Sequence, residues 1–144
     1  VSPSWQNYFI EMARLAASKS KDPDRKVGCV IVGPDMEVRA TGFNGFARGV
    51  SDDVDRYADK DGKLSMMVHA EANAIAAAAR VGTSIKGCTA VVTKHPCPQC
   101  AALLIQAGVS VVLSPSPYDG SRWQDANVVA QRQFAESGVG ARYY

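Results

Sequence analysis

From Trp5 onward the apolar positions Trp5, Phe9, Met12, Ala13, Ala16 and Ala17 return at helical spacing, with Ser4 in front of them as an N-cap. The spacing predicts a first helix over 5–19 that packs on a sheet. The run Val27-Gly28-Cys29-Val30-Ile31-Val32 is instead continuous, apolar and rich in β-branched residues, which predicts a buried strand. Gly33-Pro34-Asp35 turns the chain into a partner strand over 37–43. From 44 to 67 the pattern dissolves into Gly, Asp, Arg and Lys, long for a connector inside a compact domain and therefore read as a functional loop. Residues 70–81 are dominated by Ala and free of Gly and Pro, which predicts a helix stopped by Gly82. A strand over 88–93, a helix over 97–106 ended by Gly108 and a buried strand over 109–113 follow. Pro115 and Pro117 break the chain before Tyr118. The stretch 123–137 carries Ala126, Val129, Ala130 and Phe134 on one face and ends at Gly138, with a short strand over 139–143. A helix, a strand pair and then alternating strands and helices predict an α/β fold: a three-layer α/β/α sandwich around a mixed sheet of about five strands.

Length and composition narrow this picture. The 144 residues suit one domain over 1–144, 47% hydrophobic content supplies a core, and the chain has no internal repeat. Sixteen Lys and Arg against fourteen Asp and Glu give a charge of +2, too small a bias for a surface that coats nucleic acid. A small anionic substrate needs only a local basic pocket. Two of the four cysteines share a CxxC and the chain is rich in regular segments, which points to metal binding in a reducing compartment over a disulfide framework. No apolar run approaches the roughly 20 residues of a membrane span, and the first residues lack a signal-like apolar region, so a soluble, cytoplasmic chain is expected.

The chemistry concentrates in His69, Glu71, Cys97 and Cys100. One imidazole and two thiolates give zinc three ligands and leave one tetrahedral position for water. A structural site closes with a fourth Cys or His, and the others available are Cys29, Cys88 and His95. On the predicted elements His69 and Cys97 stand at helix N-termini, where unpaired N–H groups favour negative charge and lower a thiol pKa. Cys97 and Cys100, three apart, share a helix face. Zinc brings the pKa of a bound water toward neutrality, and Glu71 is placed to take its proton and pass it to a ring nitrogen and a leaving amine. That suits hydrolytic deamination of an amidine-like ring carbon. Taken singly, the CxxC reads equally as a structural zinc site or a buried thiol pair, and His69 as a core histidine; the combination with Glu71 and Pro96 matches the zinc deaminase signature.

The resemblance runs further. Ser20-Lys21-Asp22-Pro23, Val27-Gly28, Thr41-Gly42-Phe43-Asn44-Gly45, His69-Ala70-Glu71-Ala72-Asn73-Ala74-Ile75 and Pro96-Cys97-Pro98-Gln99-Cys100 resemble the deoxycytidylate deaminases, in order and over nearly the whole chain. The resemblance implies a cytidine deaminase-like fold and zinc-dependent conversion of dCMP to dUMP with release of ammonia, feeding thymidylate synthesis. It implies one Zn2+ per chain on His69, Cys97 and Cys100, Glu71 as the catalytic carboxylate and Ala70 beside the substrate. Asn44 would hydrogen-bond the sugar, and Tyr118 would stack near the base or cap the pocket. For the phosphate, Arg25, Lys26, Arg48 and Arg122 are candidates, and Lys26 and Arg48 are preferred because they flank the strand pair bearing Asn44. Family members are typically homohexamers, many activated by dCTP with Mg2+ and inhibited by dTTP. The segment with Gly42, Asn44, Gly45, Asp52 and Asp53 resembles their effector site, its N–H groups suited to phosphates and its Asp residues to Mg2+.

The chain departs from that pattern in places. Lys94-His95 precede Pro96 where relatives usually carry an apolar or small residue, and Ala72 stands where Leu is common. His95, extended by the following proline, is not assigned to zinc. Residues 54–67 contain no Cys or His, so no second zinc is expected there. The competing readings are a superfamily deaminase acting on tRNA adenosine, guanine or free cytidine, and a non-enzymatic zinc-stabilised binding module.

Overall fold

The computed structural model describes residues 4–144. In chain order the elements are α1 (Trp5–Ala17), β1 (Gly28–Val32), β2 (Val38–Phe43), β3 (Gly45–Phe46), α2 (Val54–Ala58), α3 (Lys60–Met66), β4 (Met67–Val68), α4 (Ala70–Val81), β5 (Thr89–Val92), α5 (Pro98–Gln106), β6 (Val111–Ser114), α6 (Gln124–Ser137) and β7 (Gly140–Tyr143). The main sheet runs β2-β1-β5-β6-β7. β1 pairs antiparallel with β2 and β5, while β5, β6 and β7 pair in parallel, so the sheet is mixed as the element order predicts.

Alternation along the strands sorts the core into two layers. Cys29, Ile31, Ala90, Val92 and Val112 face one side, where α4, α5 and α6 contribute Ala70, Ala74, Ala78, Ala101, Leu104, Ala130 and Phe134. Val30, Val32, Val91 and Leu113 face the other and are covered by Phe9, Ile10 and Ala13 of α1. The result is the α/β/α sandwich. Ser4 caps α1 by accepting a hydrogen bond from Asn7 N at 3.0 Å, and α4 ends at Gly82 in the left-handed conformation (φ 76°).

Two glycines set how closely the helices approach. A Cβ on Gly28 would overlap the Ala13 carbonyl of α1, and one on Gly42 would overlap the Ala70 carbonyl at the head of α4. The small side chains of α4 complete that contact: Ala70, Ala74 and Ala78 lie buried beneath it. Gly42 thus has a packing task, fixing the first turn of α4.

The stretch from 44 to 67 differs from the expected loop. It holds the two-stranded β3–β4 pair and the helices α2 and α3, pinned where Phe46 and Tyr57 stack with ring centroids 4.6 Å apart. These elements are two to seven residues long and only Tyr57 among the residues of the two helices is buried, so no apolar period marks them in the sequence. Among the described residues no helix is long and apolar enough to cross a membrane.

Candidate active site

The N-termini of α4 and α5 meet, α5 starting just past the central strand β5. His69 is the N-cap of α4 and Cys97 the N-cap of α5, where Pro98 occupies the first turn without needing an N–H partner. Cys97 Sγ accepts from Cys100 N at 3.4 Å, so the thiol takes the place of a capping oxygen. His69 Nδ1 lies 3.5 Å from Cys97 Sγ and 3.4 Å from Cys100 Sγ, and the three donor atoms all fall within 4.8 Å of one another. With Zn–S near 2.3 Å and Zn–N near 2.0 Å, tetrahedral angles put nitrogen and sulfur about 3.5 Å apart, so the spacing fits zinc. Among the described residues no other three His, Cys, Asp or Glu donors converge in this way.

The thiols press the same conclusion. Cys97 is pushed down to about 4, first by the hydrogen bond from Cys100 and then by His69. Cys100 is pushed up by its partner sulfur and by burial. Two adjacent thiols cannot both ionise next to each other at neutral pH without a cation between them, and zinc ligation requires both as thiolates. The site is compatible with one Zn2+ per chain.

Beside the donors opens a cavity of about 690 Å³ lined by His69, Ala70 and Glu71 from α4, Asn44 after β2, and Lys94 and Trp123 from the loops before α5 and α6. Glu71 is 4% exposed, and burial lifts its carboxyl above the ordinary range. Around Trp123 stand three cations: Arg25 at 4.9 Å from a ring centroid, Lys94 at 5.0 Å and Arg122 at 4.7 Å. Each lies within cation–π reach, yet none forms an ion pair among the described residues. Burial, and then Arg25, hold the Lys94 ammonium below its usual range.

The family model for the zinc-binding region of cytidine and deoxycytidylate deaminases matches residues 3–114. The chain belongs to this family. The human deoxycytidylate deaminase is 38% identical over 145 aligned positions, covering 97% of this chain and 79% of the relative. An uncharacterized deaminase in the luxG 3′ region of Aliivibrio fischeri is 42% identical over 137 residues, 94% of this chain and 90% of the relative. Among solved structures, the dCMP deaminase of cyanophage S-TIM5 in complex with dCMP and dUMP superposes with a TM-score of 0.80 at 26% identity, covering 100% of this chain and 99% of that one. The protein is a zinc-dependent hydrolase of the cytidine/dCMP deaminase type.

The deaminase fold brings His69, Ala70, Glu71, Cys97 and Asn44 to the cavity wall, with buried Cys100 joined to His69 and Cys97 in the donor group. Asn44 is buried; its Oδ1 accepts from Val27 N at 2.8 Å and its Nδ2 donates to Arg25 O at 2.9 Å, leaving one N–H and one lone pair. Two preferred residues lie elsewhere. Lys26 is exposed and does not line the cavity, although its neighbour Arg25 does, because alternation in an extended segment sends adjacent side chains to opposite sides. Arg48 lines a second concavity of about 850 Å³, together with Gly42, Asn44, Gly45 and Asp52. Asp52 there is engaged with Lys21 at 3.0 Å, and Asp53 accepts from Ser51 Oγ at 3.1 Å. Tyr118 is 64% exposed and outside the cavity lining of this chain. His95 turns to Ser114: the Ser114 hydroxyl donates to Pro115 O at 2.9 Å and so accepts from His95 Nδ1 at 3.0 Å. Lys94, Trp123 and Lys63 also line the cavity, and sequence reasoning assigned none of them to a site. Lys94 sits three residues before Cys97, a proximity that could have flagged it, whereas Lys63 lies in the segment without periodicity.

Proposed function

We propose that this deaminase converts dCMP to dUMP, on one domain spanning 1–144, with His69, Cys97 and Cys100 as zinc ligands and Glu71 as the proton carrier. One observation carries the substrate: three cations without an ion-pair partner among the described residues crowd one indole at the cavity of the metal donors. Their mutual repulsion is unfavourable until a dianion sits among them, and a 5′-monophosphate supplies about two negative charges. Arg25, Lys94 and Arg122 therefore grip the phosphate, in place of Lys26 and Arg48. The match to the cyanophage enzyme in complex with dCMP and dUMP supports the same reading.

Zinc bound by these donors supplies a Lewis acid and a water of lowered pKa. Glu71, dry and raised in pKa, takes a proton from water, delivers it to the ring nitrogen and then serves the leaving amine. The exocyclic C–N bond breaks, a C–O bond forms and ammonia departs. Asn44 offers its remaining donor and acceptor to the sugar. The test is turnover of a panel of dCMP, CMP, deoxycytidine, guanine and an anticodon stem-loop. We expect dCMP to dominate; no turnover of dCMP overturns the reading.

The second concavity favours an effector reading for the same enzyme. Lys19, Lys21, Arg48 and Arg80 line it beside Gly45 and Asp52, a composition suited to a nucleotide triphosphate with Mg2+. Activation by dCTP and inhibition by dTTP are expected. Identical dCMP saturation curves with and without the effectors reject this part.

A further inference from the structure

We propose that Lys63 is a positioning residue: it latches α3 as a wall of the active-site cavity and, through Asp22, fixes the turn that presents Arg25 to the substrate phosphate. This rests on the dCMP reading above. α3 buries no side chain of its own. It is seven residues long, includes Gly62 and leaves Leu64 69% exposed, and a helix so short does not persist on its own. Asp59 caps its start, accepting from Gly62 N at 3.3 Å, and Met67 N closes its last turn by donating to Lys63 O. Yet Lys60, Lys63 and Leu64 all line the cavity.

The side-chain tie from α3 to the turn over 22–25 is Lys63. Its side chain is 11% exposed, and its ammonium lies 2.9 Å from Asp22 Oδ1 and 3.0 Å from Asp24 Oδ2. Asp22 is itself buried, and the same Oδ1 accepts from Asp24 N at 2.9 Å and Arg25 N at 3.4 Å. One oxygen therefore receives both the latch and the turn over 22–25. The rest of the turn is held as well: Asp22 N donates to Ser20 Oγ, Ser20 Oγ donates to Asn44 O, and Arg25 O accepts from Asn44 Nδ2. Arg25 leaves this turn to stand over Trp123. Lys63 is paired with two carboxylates, and its link to the Arg25 turn runs through Asp22. Removing its charge frees α3 and leaves the turn bonded to an unpaired carboxylate.

The zinc-loaded enzyme is tested as wild type, Lys63→Met, Lys63→Arg and Asp24→Asn. For Lys63→Met we expect KM for dCMP to rise about tenfold with kcat within about twofold of wild type, the loss of one charge-assisted contact acting on binding alone. Lys63→Arg, which keeps the charge and can fork between two carboxylates, should return KM to within about threefold. Asp24→Asn, altering only the more exposed partner, should raise KM less than Lys63→Met and serves if that variant does not fold. An unchanged KM in the charge-removing variants, a loss confined to kcat, or no rescue by Arg overturns the latch. Wild-type KM values for dCMP and deoxycytidine report the phosphate reading separately. Equal values overturn that reading and the latch with it, whereas a clear preference for dCMP with an unresponsive Lys63→Met overturns the latch alone.

Discussion

Gly42 of β2 faces the head of α4 so closely that a Cβ there would stand 2.5 Å from Ala74 N and overlap the Ala70 carbonyl. The contact fixes the turn that carries His69 and Glu71. Gly42→Ala should therefore destabilise the protein by about 1–3 kcal/mol, the usual cost of overpacking, and displace the metal donors as well. Urea unfolding and zinc stoichiometry measured together check this. Unchanged values in both would mean that α4 shifts without consequence.

Glu71 is buried beside the metal donors while contributing no ligand to the group of three. Glu71→Gln keeps the shape and removes the carboxylate; if Glu71 carries the proton as proposed, turnover should fall about 10²–10⁴-fold with zinc still at one per chain. Stability should not fall, because burial already works against the ionised carboxylate. Steady-state kinetics and metal analysis decide: loss of zinc, or near-normal turnover, would show that Glu71 has another task.

The sheet, its two helical layers and the convergence of His69, Cys97 and Cys100 were legible in the sequence for a physical reason. Long elements bury one face or both, and burial writes a period of 3.6 or 2 into the chain. Cys97, Pro98 and Gly82 also mark helix ends by chemistry that does not depend on tertiary context. α2 and α3 were illegible because neither buries a face, and α3 is held by Lys63 and two carboxylates distant in sequence. Which cations line the cavity was illegible for a similar reason. Choosing Lys26 over Arg25 requires knowing which way an extended turn points its side chains, and that is set by Asp22 and Asn44 bonding to the backbone around Arg25.

Stripping the metal should expose a difference among the four cysteines. Cys97 has its pKa pushed down to about 4, chiefly by the Cys100 hydrogen bond, whereas burial raises Cys29 and Cys88. In the metal-free protein Cys97 is thus already thiolate at pH 6, and its alkylation by iodoacetamide should be fastest and nearly flat between pH 6 and 8. Zinc should suppress the reaction. Mass spectrometry of labelled peptides checks the order, and a rate that climbs about tenfold per pH unit would deny the low pKa.

Arg25, Lys94 and Arg122 flank Trp123 without carboxylate partners among the described residues. Neutralising either arginine, as in Arg122→Gln, should raise KM for dCMP about 10-fold or more, since charge-assisted hydrogen bonds to phosphate are the strong class. Deoxycytidine, lacking the phosphate, should lose far less. Added salt should weaken dCMP binding in the wild type more than in the variant, because one screened attraction is already gone. An equal loss on both substrates would place these cations outside phosphate recognition.

His95 links the loop before α5 to the end of β6, donating from Nδ1 to Ser114 Oγ at 3.0 Å, with Phe134 and Tyr143 beside its ring at centroid distances of 6.2 and 6.1 Å. Its Nε2 is buried without a hydrogen-bond partner, so a proton added there meets the desolvation cost of a buried charge. Burial accordingly holds the pKa below the usual 6.5. The unfolded chain then binds more protons than the folded one between that lowered value and 6.5, and stability rises with pH across this window. Above 6.5 the imidazole is neutral in both states and its contribution is fully present; it is lost as pH falls through the folded value. Urea unfolding at pH 7.5 and 5.5 should show a decline on acidification that is shallower in His95→Gln, which keeps a donor for Ser114 and cannot titrate. Equal slopes for the two proteins would mean that another group governs the acid limb.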